Sequence, residues 1–262
     1  MSKLLDMPVN KNAAAACKDK KFTKTTALAM LFSRITLFVV FQLCFYALFS
    51  VLGENNPWMK AAAYWPFTAF FTNIVCAILL SSLLNREGSR FRDFFAFNKG
   101  TVLEDLLLSI GLFSVIGALG FLPSPLLGNL FFGDVMIGNR LFFQPLPQWA
   151  AVAALILFPI SMPFGELTTY FGYVMPRLEL TIKSKALAII LPALMLSLQH
   201  AALPLLFNLG GMFLLWRALV FLPFAFALAF IIKWRPRLFP YFLIGHFLID
   251  IGTAAMFFIP MG

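Results

Sequence analysis

The chain alternates long apolar runs with short polar segments, and the length of the runs decides the fold class. A helix that crosses a membrane needs about 20 mostly apolar residues. Seven runs approach or exceed this length: Ile35 to Gly53, Ala61 to Leu84, Val102 to Leu122, Trp149 to Pro176, Leu187 to Phe207, Gly211 to Ile232 and Leu238 to Ile259. The pattern predicts an all-α, polytopic bundle of about seven transmembrane helices, with an eighth short span still open between the third and fourth runs.

The stretch between the third and fourth runs, residues 123–148, is apolar but rich in helix-breaking residues. Its prolines and glycines are Pro123, Pro125, Gly128, Gly133, Gly138, Pro145 and Pro147. Irregular backbone cannot face lipid within the hydrocarbon core, because its polar groups would have no hydrogen-bond partner there. The segment is expected to cap the outer face, to lie at the interface or to re-enter the bundle under cover of protein.

Composition agrees with an integral membrane protein. Of the 262 residues, 61% are hydrophobic and 12% are charged, and the mean hydropathy is +0.89, which excludes an ordinary soluble domain. The chain divides into a basic tail at 1–25, N-terminal transmembrane helices and loops at 26–148, and a core of transmembrane helices at 149–262. The tail lacks the apolar region of a secretory signal peptide and is expected to be a disordered cytoplasmic segment.

The net charge of +9 is distributed by side of the membrane. With the N-terminus inside, sixteen of the twenty Lys and Arg residues fall in cytoplasmic segments, Lys60 and Arg140 fall outside, and Arg34 and Arg217 lie in or near spans. Such a split is a strong positive-inside signal, so we predict a cytoplasmic N-terminus and place Met261 and Gly262 outside. The basic excess indicates contact with lipid headgroups rather than with nucleic acid.

Four ionisable side chains lie deep in the last four runs, where charge is costly. They are Glu166, His200, His246 and Asp250, and the two histidines are the only ones in the protein. Counting about 1.5 Å per helical residue from the cytoplasmic ends places all four near the middle of the membrane. Because intramembrane ionisable residues cost roughly 2.5–3.5 kcal/mol each on insertion scales, we interpret the four as one assembled functional site.

Local spacing supports this interpretation. His246 and Asp250 are four residues apart and share one helix face. Tyr170 and Tyr173 follow Glu166 by four and seven residues and extend its polar face. A lone intramembrane histidine is often a packing residue, so the hypothesis depends on all the side chains together.

Three motifs follow one another in residues 149–262: GELTTYFGYVMPRLE, LSLQHAALP and HFLID. They resemble the motifs of the CPBP family, the CAAX-protease and bacteriocin-processing intramembrane endopeptidases. The first family motif looks like EEIGWRGYLLPRLE, and the residues in register with it here are Glu166, Gly172, Tyr173, Pro176, Arg177, Leu178 and Glu179. The second motif supplies His200, and the third supplies His246 with Asp250 four residues later.

The resemblance implies peptide hydrolysis within the membrane. Glu166 is expected to be the general base for a water held with His200, and His246, assisted by Asp250, to stabilise the oxyanion. Tyr170, Tyr173 and Arg177 are expected to support this site. The implied substrates are membrane-associated peptides or proteins, and the form of the first motif favours a bacterial cytoplasmic membrane.

The chain departs from the family pattern at two positions. Leu167 replaces a glutamate and Phe171 an arginine, at positions where the two charges would pair along a helix. Replacing both partners of a buried ion pair by apolar residues is often neutral, so the site around Glu166 can persist. The same change is also expected in a family member that has lost proteolysis and acts as a binding, scaffold or immunity protein.

Two further alternatives remain open from the sequence. Glu166 and two histidines could hold zinc, since three protein ligands and a water make a catalytic zinc site. The spacing lacks the compact motif of soluble zinc proteases, so we expect no cofactor. A proton-coupled carrier that uses the four residues as a relay is the other alternative, and the absence of internal repeats disfavours it.

Overall fold

The computed structural model describes residues 3–259, so Met261 and Gly262, predicted to lie outside, are beyond the described residues. Within this range the chain is helical without strands, and seven helices or pairs of consecutive helices are long and apolar enough to cross a membrane. Their bounds are Lys24–Val51, Trp65–Arg86, Val102–Phe132, Gln148–Thr181, Lys185–Leu206, Gly211–Trp234 and Pro236–Phe258. The predicted all-α bundle is confirmed, and the protein is a multi-pass membrane protein.

The individual helices subdivide these spans. In chain order they are α1 Ala13–Lys18, α2 Lys24–Val51, α3 Pro57–Ala63, α4 Trp65–Arg86, α5 Val102–Phe121, α6 Pro123–Phe132, α7 Ile137–Phe142, α8 Gln148–Leu167, α9 Met175–Thr181, α10 Lys185–Gln199, α11 Ala202–Leu206, α12 Gly211–Val220, α13 Leu222–Trp234 and α14 Phe239–Ala255. Short 3-10 turns cover Lys3–Asp6, Pro8–Asn10, Phe91–Phe95, Pro236–Leu238 and Met256–Phe258. A π-helical segment, Thr168–Val174, joins α8 to α9.

Helix α8 is the central element of the bundle. It packs against α4 on one side and α14 on another, and the π-helical segment that follows it contacts α2 and α10. The residues of the π-helical segment are all buried, and Leu167 and Phe171 lie in the main apolar core with exposed fractions of 1% and 0%. The two positions at which the family pattern carries charges are thus filled by core side chains here.

The proline- and glycine-rich stretch 123–148 does not form a span of its own. Pro123 begins α6, and because proline is tolerated in the first turn of a helix, α6 continues directly from α5 as one 31-residue helix. The short helix α7 contacts the start of α4, where Trp65 Nε1 donates to the carbonyl of Phe142 at 2.9 Å. Helices of ten and six residues in this stretch are too short to cross a membrane.

The N-terminal tail is folded, and the expectation of disorder was wrong. Residues 3–18 form two 3-10 turns and α1, and their apolar side chains point inward: Leu4, Leu5, Met7, Val9, Ala13 and Ala16 are buried. Asn12 Nδ2 donates to the carbonyl of Gly88 at 2.6 Å, and α1 contacts α9. The lysines suggested a solvated tail, but the apolar residues between them cover the ends of the helices.

Candidate functional site

Glu166 lies in the last turn of α8, and its carboxylate is held from three sides. Its side chain is 2% exposed. Gln199 Nε2 donates to Glu166 Oε2 at 2.5 Å, and Arg34 Nη2 lies 3.6 Å from the same oxygen. The other oxygen, Oε1, faces His246 Nε2 at 3.3 Å. A buried carboxylate must be paired with cations or hydrogen-bond donors to remain charged, and these groups do so.

Arg34 brings a positive charge to this site from α2. Its Nε donates to Gln199 Oε1 at 2.6 Å, and its Nη1 donates to Asn73 Oδ1 at 2.6 Å. Asn73 in turn donates to Ser161 Oγ at 2.9 Å, which ties α4 to α8. The guanidinium is almost fully buried and has one carboxylate and two amide oxygens around it, so its charge is well compensated.

Tyr170 belongs to the same network. Its hydroxyl donates to Gln199 Oε1 at 3.2 Å, and its ring is fully buried. Gln199 is therefore the hub of the site, because its amide oxygen accepts from Arg34 and Tyr170 while its amide nitrogen donates to Glu166. The predicted supporting role of Tyr170 corresponds to a direct contact with this hub.

His246 and Asp250 complete the cluster from α14. They are one turn apart, and His246 Nε2 lies 3.2 Å from Asp250 Oδ2 as well as 3.3 Å from Glu166 Oε1. The facing atoms Glu166 Oε1, His246 Nε2 and Asp250 Oδ2 are buried and make no hydrogen bond of good geometry among the described residues. His246 Nδ1, elsewhere on the ring, also has no hydrogen-bond partner there. Unused hydrogen-bonding capacity is thus concentrated at one point, whereas most buried polar atoms in proteins are satisfied.

His200 lies beside the cluster but does not join it. Its Nδ1 is 2.8 Å from the carbonyl of Leu196, and its ring stacks on Phe221 with 3.8 Å between centroids. No hydrogen bond or ion pair links it to Glu166 in residues 3–259, although the two are near enough to interact electrostatically. Consecutive helical residues point about 100° apart, so the end of α10 directs Gln199, and not His200, toward Glu166.

Arg217 is the basic neighbour of His200. Its guanidinium carbon lies 4.7 Å from the ring centroids of both Phe142 and Phe221, and its Nε is buried without a hydrogen-bond partner in the described chain. Cation–π contacts stabilise such a charge in apolar surroundings. His200 is thus bordered by an aromatic ring on one face and a cation nearby, whereas the Glu166 cluster contains two carboxylates.

Tyr173 and Arg177, both expected to support the Glu166 site, belong to a second polar cluster near the N-terminal tail. Arg177 pairs with Glu87 through Nη2 and Oε2 at 2.5 Å and donates to Asn10 Oδ1. The Tyr173 hydroxyl donates to Glu87 Oε1 at 2.8 Å, and the Arg177 guanidinium lies 4.2 Å from the Tyr173 ring centroid. This cluster joins the tail, the loop after α4 and α9, and no hydrogen bond or ion pair links it to the Glu166 cluster in the described residues.

Sequence reasoning missed three members of the site: Arg34, Asn73 and Gln199. All three are polar side chains inside apolar runs, and that was a usable signal, because such residues in membrane helices usually make interhelical hydrogen bonds. Arg34 is one of the two basic residues in or near a span, and Gln199 precedes His200 in the motif LSLQHAALP. Their distance from Glu166 along the chain hid their contact with it.

The candidate zinc ligands from the sequence are Glu166, His200 and His246. No group of three or more His, Cys, Asp and Glu side chains within residues 3–259 is arranged to hold a metal ion. His246 presents one nitrogen to two carboxylates, and His200 faces Phe221. The expectation that no cofactor is needed stays a prediction.

Comparison with known proteins assigns no family. No protein-family model matches the chain, and neither does any curated protein or any solved structure. The resemblance to CPBP endopeptidases therefore depends on the three short motifs alone.

Proposed function

We propose that the protein is an intramembrane endopeptidase of the CPBP type, which hydrolyses membrane-associated peptides or proteins in a bacterial cytoplasmic membrane. One observation carries the proposal. Three buried polar atoms, one each from Glu166, His246 and Asp250, meet without a hydrogen bond of good geometry in the described chain. Leaving such atoms unsatisfied costs roughly 1–3 kcal/mol each, and this cost is expected where a polar ligand is bound during function.

The proposed hydrolysis uses Glu166 as general base. Its Oε1 takes a proton from a water molecule whose oxygen forms a bond to the peptide carbonyl carbon. The carbonyl oxygen becomes negatively charged and accepts a hydrogen bond from His246. When the carbon–nitrogen bond breaks, the proton held by Glu166 passes to the departing amine, so the carboxylate is restored and one water is consumed.

Arg34, Gln199 and Asp250 position the two reacting groups. Gln199 and Arg34 both engage Oε2 of Glu166, which leaves Oε1 toward His246 and the incoming water. Asp250 Oδ2 lies 3.2 Å from His246 Nε2 and helps to orient the imidazole that donates to the oxyanion. His200 takes part only if its ring turns from Phe221 toward Glu166.

A second candidate function is a proteolytically inactive membrane protein that uses the same cluster for binding, scaffolding or immunity. One observation favours it: His200 stacks on Phe221 and makes no hydrogen bond or ion pair with Glu166 in the described residues. Replacement of the family's charged pair by Leu167 and Phe171 fits this candidate as well as the first. In a protein without peptidase activity, the pair of Arg34 and Glu166 would have a structural role and join α2 to α8.

The test compares the protein termini in cell membranes that contain the wild-type protein or Glu166→Gln, listed by mass spectrometry. Proteolysis predicts peptide termini that appear with the wild type and vanish with Glu166→Gln and with His246→Gln. Glu54→Gln is the matched control, because Glu54 lies in an exposed loop and pairs only with Lys60. This control should leave the termini unchanged.

Loss of folding must be separated from loss of chemistry. Glu166→Gln removes the only carboxylate that pairs with Arg34 in the described chain, so the double variant Glu166→Gln/Arg34→Met is tested as well, since it removes both charges together. Identical termini from wild type and all variants, at equal abundance of folded protein, would refute the peptidase and favour the binding protein. His200→Ala then shows whether the second motif is needed for cleavage.

A further inference from the structure

A cavity of about 580 Å³ opens at the face of the bundle that carries the N-terminal tail. It lies between that tail, the loop before α5 and the turn between α13 and α14. Its size falls within the usual range for sites that bind small molecules. None of the residues of the Glu166 cluster lines it.

The charge of the cavity is predominantly positive. Lys3, Lys11 and Arg235 line it, and none of the three has a carboxylate within ion-pair distance in residues 3–259. Arg237 also lines the cavity, but it is already paired with Glu104 and Asp105. Asp6 is the one acid in the lining. Three uncompensated cations around one space would attract an anion such as a phosphate.

The rim of the cavity is aromatic and exposed. Trp234 is 49% exposed and Phe97 is 43% exposed, and both line the cavity. Trp234 ends one membrane-spanning segment, and Pro236, which also lines the cavity, begins the next. Tryptophan at the end of a spanning helix lies at the level of the lipid headgroups. The cavity therefore opens where a lipid, and not only a solute, can reach it.

We infer that this cavity is a specific binding site for the phosphate-bearing headgroup of an anionic glycerophospholipid. Lys3, Lys11 and Arg235 donate to the phosphate oxygens, Asp6 accepts from a headgroup hydroxyl, and Trp234 and Phe97 contact the start of the acyl chains. Basic pockets at the ends of membrane helices bind acidic headgroups in this way. Two of the three cations belong to the folded tail, so the bound lipid also holds the tail against the turn between α13 and α14.

The test measures lipid binding to the purified full-length protein by native mass spectrometry, with phosphatidylglycerol as the probe. The cavity variant is Lys3→Gln/Lys11→Gln/Arg235→Gln. The matched control, Lys18→Gln/Lys20→Gln/Lys183→Gln, loses the same charge at exposed positions outside the cavity. We expect at least tenfold weaker binding in the cavity variant and less than twofold change in the control. Equal weakening in both would show general surface attraction and overturn the site.

Further arms distinguish the ligand and guard against misfolding. Phosphatidylcholine, which has a phosphate but no net charge, should bind at least tenfold more weakly than phosphatidylglycerol. Inorganic phosphate should not displace the lipid at millimolar concentration, and displacement would mean that the site takes free phosphate instead. If the triple variant fails to fold, Lys11→Gln and Arg235→Gln are measured singly, each with about fivefold weaker binding expected. Unchanged binding in both would refute the inference.

None of these measurements depends on peptidase activity.

Discussion

Gln199 Nε2 lies 2.5 Å from Glu166 Oε2, and this contact joins two helices through residues that are 33 positions apart in sequence. The same side chain accepts hydrogen bonds from Arg34 and Tyr170. One neutral amide therefore links the carboxylate, the buried cation and the tyrosine. The histidine next to it in sequence, His200, faces away toward Phe221.

The first prediction follows from this hub. Gln199→Leu removes one donor and one acceptor, so Glu166, Arg34 and Tyr170 each lose a buried partner. Such losses typically cost about 1–3 kcal/mol per unsatisfied group, and the thermal unfolding midpoint should fall clearly. The control is Leu198→Ala, because Leu198 is the adjacent residue but is exposed. A smaller effect for Gln199→Leu than for Leu198→Ala would contradict the assignment of the hub.

The second prediction concerns the pair of Arg34 and Glu166. Removal of one partner from a buried ion pair costs about 3–5 kcal/mol, whereas replacement of both by apolar groups can be neutral. Arg34→Met and Glu166→Gln should each destabilise the protein more than the double variant does. A double-mutant cycle from unfolding measurements gives the interaction free energy. Additive losses would mean that the two side chains do not interact across the 3.6 Å observed.

The third prediction uses a glycine beside the site. A Cβ atom added at Gly165 would come within 2.6 Å of Asn73 Cβ, so α4 and α8 could not keep their present distance. Gly165→Ala should therefore displace Asn73 from Arg34 and cost about 1–3 kcal/mol. Gly111→Ala is the control, because a Cβ there meets nothing within 4 Å. We expect it to leave the unfolding midpoint unchanged or raised.

The fourth prediction tests the folded tail. Asn10→Ala removes the acceptor for Arg177 and the side chain that donates to the carbonyl of Leu4 at 3.1 Å. Hydrogen exchange of the amides in residues 3–18 should become faster, because the segment loses its attachment to α9. Lys18→Ala, at an exposed position, should not change the exchange rates. A tail that already exchanges at the unprotected rate in the wild type would contradict the docked arrangement.

The fifth prediction concerns orientation. A version without Cys17, Cys44 and Cys76 is given one new cysteine, by Lys183→Cys or by Lys60→Cys. The positive-inside distribution predicts that a membrane-impermeant thiol reagent added to intact cells labels the Lys60 position and not the Lys183 position. The opposite labelling pattern would reverse the predicted topology, whereas labelling at both would indicate mixed orientation.

The length and apolarity of the runs were sufficient to predict the number of membrane spans and the all-α class of the fold. Seven runs predicted seven spans, because in a membrane every backbone polar group must be satisfied within its own helix, so length and apolarity alone are informative. Details that depend on neighbours were not accessible in this way. The tail from Lys3 to Lys18 looked solvated by composition, yet its few apolar residues are buried against the helix ends.

Polar residues within apolar runs are recognisable from the sequence as costly in a membrane, and this signal identified Glu166, His246 and Asp250, which do meet in the structure. Their partners from other helices could not be identified in this way. Spacing along one helix shows that His246 and Asp250 share a face, but it cannot show that Arg34 on α2 reaches Glu166 on α8, or that Gln199 and not His200 points there. Those contacts depend on how the helices pack and rotate against one another, and that is set by the core side chains of the whole bundle together.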